Sequence, residues 1–154
     1  MEETQRIRQT LKKSIFEVFE KMFFVFLEPA ETYPAGKEVL KASIRFRGPR
    51  SGTLDLLFAA DLSMRMVQNL LLKEPDEMSE RDVEDCLKES ANVVCGNFLR
   101  LFDSSLTFDL SIPGFERNSE APGEEKGEQA GNPVVIHFQS EDGGLSAVLR
   151  ETGS

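Results

Sequence analysis

The sequence predicts an α+β protein, in which an antiparallel sheet packs against two long helices and one shorter helix. Three segments repeat apolar residues at helical spacing, and five shorter segments have the alternation and the turn boundaries of strands. Their order is helix, strand, strand, helix, helix, strand, strand, strand. Strands joined by hairpins lie antiparallel, so we expect an antiparallel sheet. Since the strands have one apolar face, the helices must cover that face of the sheet.

The first half of the chain predicts a long helix, a hairpin and a shorter helix. The helical repeat runs from Thr4 to Leu27, and the alternating segments 40–46 and 53–58 flank the turn sequence GPRSG. Asp61 is the expected N-cap of the shorter helix, LSMRMVQNLLL, which stops before the next proline.

The second half predicts another long helix and three strands. Ser79 followed by Asp82 has the capping-box pattern for a helix that reaches about Phe102. Strand signals follow in SLTFDLSI, PVVIHFQS and LSAVLRE, and the turn composition EDGG joins the last two. Since each half starts with a long helix followed by a hairpin, we expect internal pseudo-two-fold symmetry.

A polar segment separates two of these strands. Residues at about 116–132 contain almost no apolar side chains and an excess of acidic ones, which predicts a flexible acidic loop without packed structure of its own. The whole length of 154 residues is close to the usual size of one domain, so we expect residues 1–154 to form a single domain.

Composition excludes several classes of partner. The formal net charge of −9 argues against binding to nucleic acid or to an anionic membrane, because both would repel the chain. No export signal is visible, and the apolar run MFFVFL is too short to span a bilayer. Cys86 and Cys95 have no CxxC or histidine cluster beside them. We therefore expect a cytoplasmic protein with reduced thiols and with no metal or cofactor of its own.

A line of polar residues interrupts the helix between Ser79 and Phe102. At ~100° per residue, Asp85, Glu89, Asn92 and Gly96 fall within an arc of roughly 60°, opposite the face that must pack on the sheet. We call these four residues the polar stripe. The simplest interpretation is the solvated side of an amphipathic helix.

Two members of the polar stripe favour a docking surface instead. A glycine such as Gly96 inside a helix costs roughly 0.5–1 kcal/mol relative to alanine, and the amide of Asn92 competes for backbone hydrogen bonds. Val93 and Leu99 lie beside the stripe in the helical projection. Their apolar side chains are expected to border it and to contact a bound partner.

The spacing of Asp85, Glu89 and Asn92 resembles the signature of the CheC, CheX and FliY chemotaxis phosphatases: aspartate or serine, three residues, glutamate, two residues, asparagine. The order of elements also resembles this family from the first helix to the last strand, which implies a CheC-like fold. The intact Glu89 and Asn92 argue against the related rotor-switch proteins FliM and FliN, which serve as structural parts.

The first helix lacks a second copy of the signature. Its equivalent positions are Lys13, Glu17 and Glu20, where a glutamate replaces the asparagine, so we expect no second active site there. One site per chain resembles the CheX type, which this family associates with homodimers.

The resemblance implies a phosphatase that hydrolyses the aspartyl phosphate of a CheY-like response regulator. Asn92 would orient the attacking water, since an amide hydrogen-bonds through both its carbonyl and its NH₂ group and phosphoryl transfer depends mainly on positioning. Glu89 would pair with a lysine in the receiver's phosphorylation pocket. Asp85, for which the family also accepts serine, would help to place the helix or make a peripheral contact. Mg²⁺ is expected on the partner receiver.

Two other functions remain open from the sequence. One is a non-catalytic adaptor or scaffold of the same fold that binds a receiver or a flagellar or signalling partner. The other is a sensor that binds a small molecule on the sheet. Asn92 separates the first alternative from a phosphatase, because a protein that only binds has no reason to retain a water-orienting amide.

Overall fold

The computed structural model describes residues 2–32, 38–117 and 133–152, and within them it shows three α-helices and a seven-stranded antiparallel sheet. The helices are α1 (Glu2–Phe23), α2 (Ala60–Leu71) and α3 (Glu80–Phe102), with a 3₁₀ turn at Pro75–Glu77 between the last two. The strands are β1 (Glu28–Ala30), β2 (Val39–Arg47), β3 (Gly52–Ala59), β4 (Asp109–Leu110), β5 (Gly114–Glu116), β6 (Val134–Ser140) and β7 (Gly143–Glu151). The predicted α+β class is confirmed.

The sheet has the strand order β1, β6, β7, β3, β2, β4, and β5 also pairs with β2. The short strands β4 and β5 therefore lie along the same edge of β2. Strand β4 pairs with Phe46 and Arg47, and β5 pairs with the segment 41–43. The two predicted hairpins are present, because β2 pairs with β3 and β6 pairs with β7 along most of their lengths.

One core cluster joins the three helices to the apolar face of the sheet. Alternate residues of the central strands point into it, for example Ile44 and Phe46 of β2 and Leu54 and Leu56 of β3. Complete burial of one such side chain stabilises the fold by ~1.5–3 kcal/mol. The sheet therefore fixes which face of each helix is turned away from solvent.

The helices α1 and α3 lie side by side and run antiparallel. Arg6 near the start of α1 donates to the carbonyl of Phe102 at the end of α3 (2.5 Å), and its guanidinium stacks 4.0 Å from the centre of the Phe102 ring. Ser14, in the middle of α1, donates through Oγ to the carbonyl of Val94 (3.0 Å). These contacts link the two helices over much of their length.

The capping box predicted for α3 is confirmed. The Ser79 hydroxyl accepts from the Asp82 amide and the Asp82 carboxylate accepts from the Ser79 amide, both at 3.0 Å. The hydrogen bond from the Ser79 amide lowers the pKa of the Asp82 carboxyl below its usual value. Lys73, whose Nζ lies 2.9 Å from Asp82 Oδ2, lowers it further. The helix ends at Phe102, as predicted, and its 23 residues span about 35 Å.

Two helix boundaries differ from the prediction. The N-cap of α2 is Ala59, which makes no side-chain cap, and Asp61 lies in the first turn of the helix, where its carboxylate still favours the helix dipole. The first helix ends at Phe23 instead of Leu27, because Phe24 adopts a left-handed φ of 56° and the Val25 amide bonds back to the Phe19 carbonyl (2.9 Å). A left-handed residue at the end of a helix is usually glycine, and here it is a phenylalanine.

The short strands differ from the prediction as well. The expected strand SLTFDLSI contains only the two residues of β4, and β1 and β5 have no counterpart in the sequence prediction. Glu116, the first residue of the predicted acidic loop, belongs to β5, whereas residues 118–132 lie outside the described part of the chain. Three-residue strands are too short to show a period and exist only through pairing with β6 and β2.

None of the described helices is long and apolar enough to cross a membrane.

A substitution at Gly52 tests the register of the sheet. A Cβ atom there would lie 2.3 Å from the Arg150 carbonyl oxygen, so Gly52→Ala is expected to lower the free energy of unfolding by ~2 kcal/mol or more. Gly114→Ala is the matched control, because its Cβ would meet nothing within 4 Å. Urea denaturation of both variants measures the difference, and equal stabilities would contradict the register.

Candidate functional site

The polar stripe lies on the outward side of α3. Asp85 and Glu89 are exposed, and Asn92 and Gly96 are half-buried. The Cα atoms of Glu89 and Asn92 are separated by one helical turn, a rise of ~4.5 Å. Both side chains can therefore be reached by a second protein without unfolding of the helix.

Glu89 differs from the other acidic residues of α3. The helix contains five carboxylates, and four of them have a basic partner, whereas Glu89 has no ion pair or hydrogen bond with any described residue. The four pairs are Glu80 with Arg117 (3.9 Å), Asp82 with Lys73 (2.9 Å), Glu84 with Lys88 (2.7 Å) and Asp85 with Arg81 (3.7 Å). Glu89 is thus the carboxylate of α3 that is available to an external cation.

Asn92 differs from the other asparagine of α3 in the same way. Asn97 donates through Nδ2 to Ser14 Oγ (3.1 Å) and Glu17 Oε1 (3.3 Å), and its carbonyl accepts from Arg100. Within the described residues, the amide of Asn92 makes no hydrogen bond. Asn97 therefore serves the packing of two helices, while both ends of the Asn92 amide are available to an external group.

The bonds of Asn97 and Ser14 also fix the orientation of α3 about its own axis. The fully buried Ser14 hydroxyl donates to Val94 and accepts from Asn97. Val94 and Asn92 belong to the same helix. The bond between Ser14 and Val94 therefore also determines the direction in which the Asn92 side chain projects. The same network occupies the carboxylate of Glu17 on α1, one of the positions that the signature would need for a second site.

The neighbours of the polar stripe have unequal access to solvent. Val93 is half-buried and lines a pocket of about 420 Å³ between α1 and α3. Leu99 is only 4% exposed and belongs to the core. It lines a groove beside Gly96, so a partner could contact its side chain only from within that groove. Burial of Leu99 follows from the contact of α3 with the sheet edge, which the helical projection did not include.

Sequence reasoning missed the other wall of that groove. It is formed by Leu106, Phe108 and Leu110, which follow α3 and lead into β4. These residues looked like part of a strand in the sequence, and only the pairing of β4 with β2 carries them back toward Gly96.

Both cysteines of α3 are buried. Cys86 and Cys95 are 3% and 0% exposed, and burial raises the pKa of each thiol to about 12. Among the described residues, no group of three histidine, cysteine, aspartate or glutamate side chains is arranged to hold a metal ion. The polar stripe therefore offers two carboxylates, of which Asp85 pairs with Arg81, and one neutral amide.

Comparison with known proteins identifies the family. Residues 40–139 match the family model described as "Chemotaxis phosphatase CheX", which is 100 of the 154 residues of the chain. The chain belongs to the CheX family. The resemblance inferred from Asp85, Glu89 and Asn92 is therefore confirmed at the level of the family. The sequence has no match among curated proteins.

Solved structures of CheX and CheC-like proteins share the fold. The chemotaxis protein CheX of Vibrio vulnificus has 23% sequence identity and a TM-score of 0.75, with 94% of this chain and 95% of that chain covered. A CheC-like superfamily protein of Shewanella sp. PV-4 has 21% identity and a TM-score of 0.77, with 96% and 98% covered. A chain from the CheX–CheY–BeF₃–Mg²⁺ complex of Borrelia burgdorferi has 14% identity and a TM-score of 0.66, with 93% and 96% covered. At these identities, the likeness establishes the fold alone.

The buried thiols of this CheX-family chain give a testable consequence. Because the thiolate is the reactive form and burial disfavours it, iodoacetamide at pH 8 is expected to label Cys86 and Cys95 at least ~100-fold more slowly in the native protein than in denaturant. Mass spectrometry of peptides measures the labelling. Fast modification of either thiol in the folded protein would contradict the described packing of α3.

Proposed function

We propose that this CheX-family protein hydrolyses the aspartyl phosphate of a CheY-like response regulator. The observation that carries the proposal is the pair formed by Glu89 and Asn92. They lie one turn apart on the accessible face of α3, and neither side chain has a partner among the described residues. The other four carboxylates of α3 and Asn97 each have one. The family description and the CheY-bound relative from Borrelia burgdorferi support the same reaction class.

Asn92 has the role of orienting the attacking water. Its carbonyl accepts a hydrogen bond from the water and its NH₂ group donates to an oxygen on the phosphoryl group or the water. The water oxygen forms a bond to phosphorus as the bond to the receiver's carboxylate breaks, and the products are the free aspartate, inorganic phosphate and a proton. Because the transition state is loose, placement of the water supplies most of what this reaction needs from a catalyst.

Glu89 has the role of anchoring the receiver. Its unpaired carboxylate would bind the ammonium group of a lysine in the phosphorylation pocket, in an interface from which water is excluded. Removing one partner of such a pair leaves the other charge buried, which costs ~2–5 kcal/mol. Asp85 already pairs with Arg81 at the exposed edge, so its contribution is peripheral.

Mg²⁺ in this proposal belongs to the receiver. The carboxylates that would bind it lie in the receiver's pocket, and the Borrelia burgdorferi complex of CheX with CheY, BeF₃ and Mg²⁺ is consistent with this assignment. The homodimer implied by the single signature stays a prediction, which sedimentation velocity would test. Phe24 and Phe26, which are 64% and 70% exposed, are candidate contacts for such a dimer.

Replacement of Asn92 tests the catalytic step. Asn92→Ala is expected to reduce phosphate release to the receiver's own rate, because no other amide of α3 is free to hold the water. Binding to a receiver activated with beryllofluoride and Mg²⁺ should change by less than ~3-fold, since most single interface side chains contribute little to affinity. Phosphate release from a radiolabelled receiver and titration of the beryllofluoride form measure the two effects.

Asn97→Ala is the matched control for this experiment. It removes an asparagine from the same helix and should lower the free energy of unfolding by ~1 kcal/mol through loss of the bonds to α1. Hydrolysis should be retained, because the Ser14–Val94 bond and the core contacts of α3 still orient the helix. If neither the wild type nor Asn92→Ala releases phosphate faster than the receiver alone does, the protein is a binding adaptor instead of a phosphatase.

Replacement of Glu89 tests the anchoring step. Glu89→Gln removes the charge but keeps the shape of the side chain, so the dissociation constant of the activated receiver is expected to rise by ~30-fold or more. Glu84→Gln is the control, because Glu84 pairs within α3 and a surface pair of this kind contributes little. Isothermal titration calorimetry compares the two, and equal affinities would remove Glu89 from the interface.

A further inference from the structure

A groove of about 300 Å³ lies immediately beyond the catalytic pair on α3. Gly96, on its rim, is one turn past Asn92, ~6 Å along the helix. The groove is lined mainly by apolar side chains and is open to solvent. Its lining includes Gly96, Leu99, Arg100, Leu106, Phe108 and Leu110.

Gly96 is not required by the packing of its own chain. A Cβ atom at this position would meet only Leu110 Cδ1, at an ordinary distance of 3.8 Å. At Gly48 and Gly52, by contrast, a Cβ would come within 2.8 Å and 2.3 Å of neighbouring atoms. Since alanine fits at position 96 and favours a helix more than glycine does, the packing of the described residues does not explain the glycine.

The walls of the groove are held in place before any partner binds. Phe108 packs edge-on against Phe46 of β2, with the ring centres 6.3 Å apart, and Leu110 pairs with Phe46 in the sheet. Leu99 is anchored in the core. A preformed apolar groove binds without the cost of ordering its walls.

The position of the groove determines what occupies it. A stable interface buries about 800 Å² on each partner, so an interface centred on Asn92 extends on the order of 15 Å in every direction. The groove, one helical turn away, lies well inside this area. A receiver that places its acyl phosphate at Asn92 therefore covers the groove as well.

We infer that the groove beside Gly96 is a socket for one apolar side chain of the receiver and that it determines which receivers this protein accepts. The identity of the occupant rests on the proposed function. The groove, at about 300 Å³, has room for one leucine- or phenylalanine-sized side chain, and burial of such a side chain favours binding. Arg100 provides the polar rim that would exclude water around it.

Two substitutions in the groove test this inference, with binding of the receiver as the main readout. Gly96→Ala fills the rim with a methyl group, and Leu106→Ser makes one wall polar. Each is expected to raise the dissociation constant of the beryllofluoride- and Mg²⁺-activated receiver ~10-fold or more, and the KM for dephosphorylation should rise more than kcat falls. The melting temperature of Gly96→Ala should stay equal or increase, which separates weaker binding from unfolding.

Leu72→Ser is the matched control for the leucine substitution. Leu72 is 87% exposed at the end of α2, so its replacement removes apolar surface away from the groove and should leave affinity unchanged. Hydrogen–deuterium exchange gives a second readout on the unmodified chain. Exchange in residues 104–110 is expected to slow when the activated receiver binds to the wild type or to Asn92→Ala.

The outcomes separate this inference from the proposed function. Wild-type affinity in both groove variants would overturn the socket, whereas loss of hydrolysis in Asn92→Ala would still support the phosphatase. A third outcome is that the wild type does not hydrolyse the phosphate, while the groove variants bind the receiver more weakly than the wild type does. This result would support the socket and overturn the phosphatase. If the wild type binds no activated CheY-like receiver, both proposals fail.

Discussion

The contact of α3 with α1 and the sheet is the constraint on which the rest of the site depends. Apolar residues of α3 enter the core, and the buried hydroxyl of Ser14 holds the Val94 carbonyl and the Asn97 amide from the neighbouring helix. A helix fixed on two sides has only one orientation about its axis. The polar stripe is therefore presented outward by packing, and no loop has to close to assemble it.

The polar side chains of α3 fall into two groups. One group is paired with other residues of the protein, and the other is available to an external partner. Four carboxylates are neutralised by nearby basic side chains, and Asn97 is engaged by α1. Among the described residues, neither the Glu89 nor the Asn92 side chain has a partner. This arrangement suits the proposed reaction, in which the substrate protein supplies the phosphoryl group and the metal.

The glycines of the chain illustrate the difference between folding and recognition. At Gly52, a side chain would collide with the neighbouring strand, and the sheet itself requires the glycine. At Gly96, the chain has room for a methyl group, and the residue weakens its helix. Gly96 also borders the groove that we propose as a contact with the receiver.

The sequence by itself determined the α+β class, the two hairpins, the capping box at Ser79 and the alignment of Asp85, Glu89, Asn92 and Gly96, because local periodicity and turn chemistry encode each of them. Only the tertiary structure decided the left-handed end of α1 at Phe24, the three-residue strands β1 and β5, the burial of Leu99 and the groove walls from Leu106 to Leu110. These features arise from pairing and packing between segments distant in the chain, which leave no periodic pattern in the residues that form them.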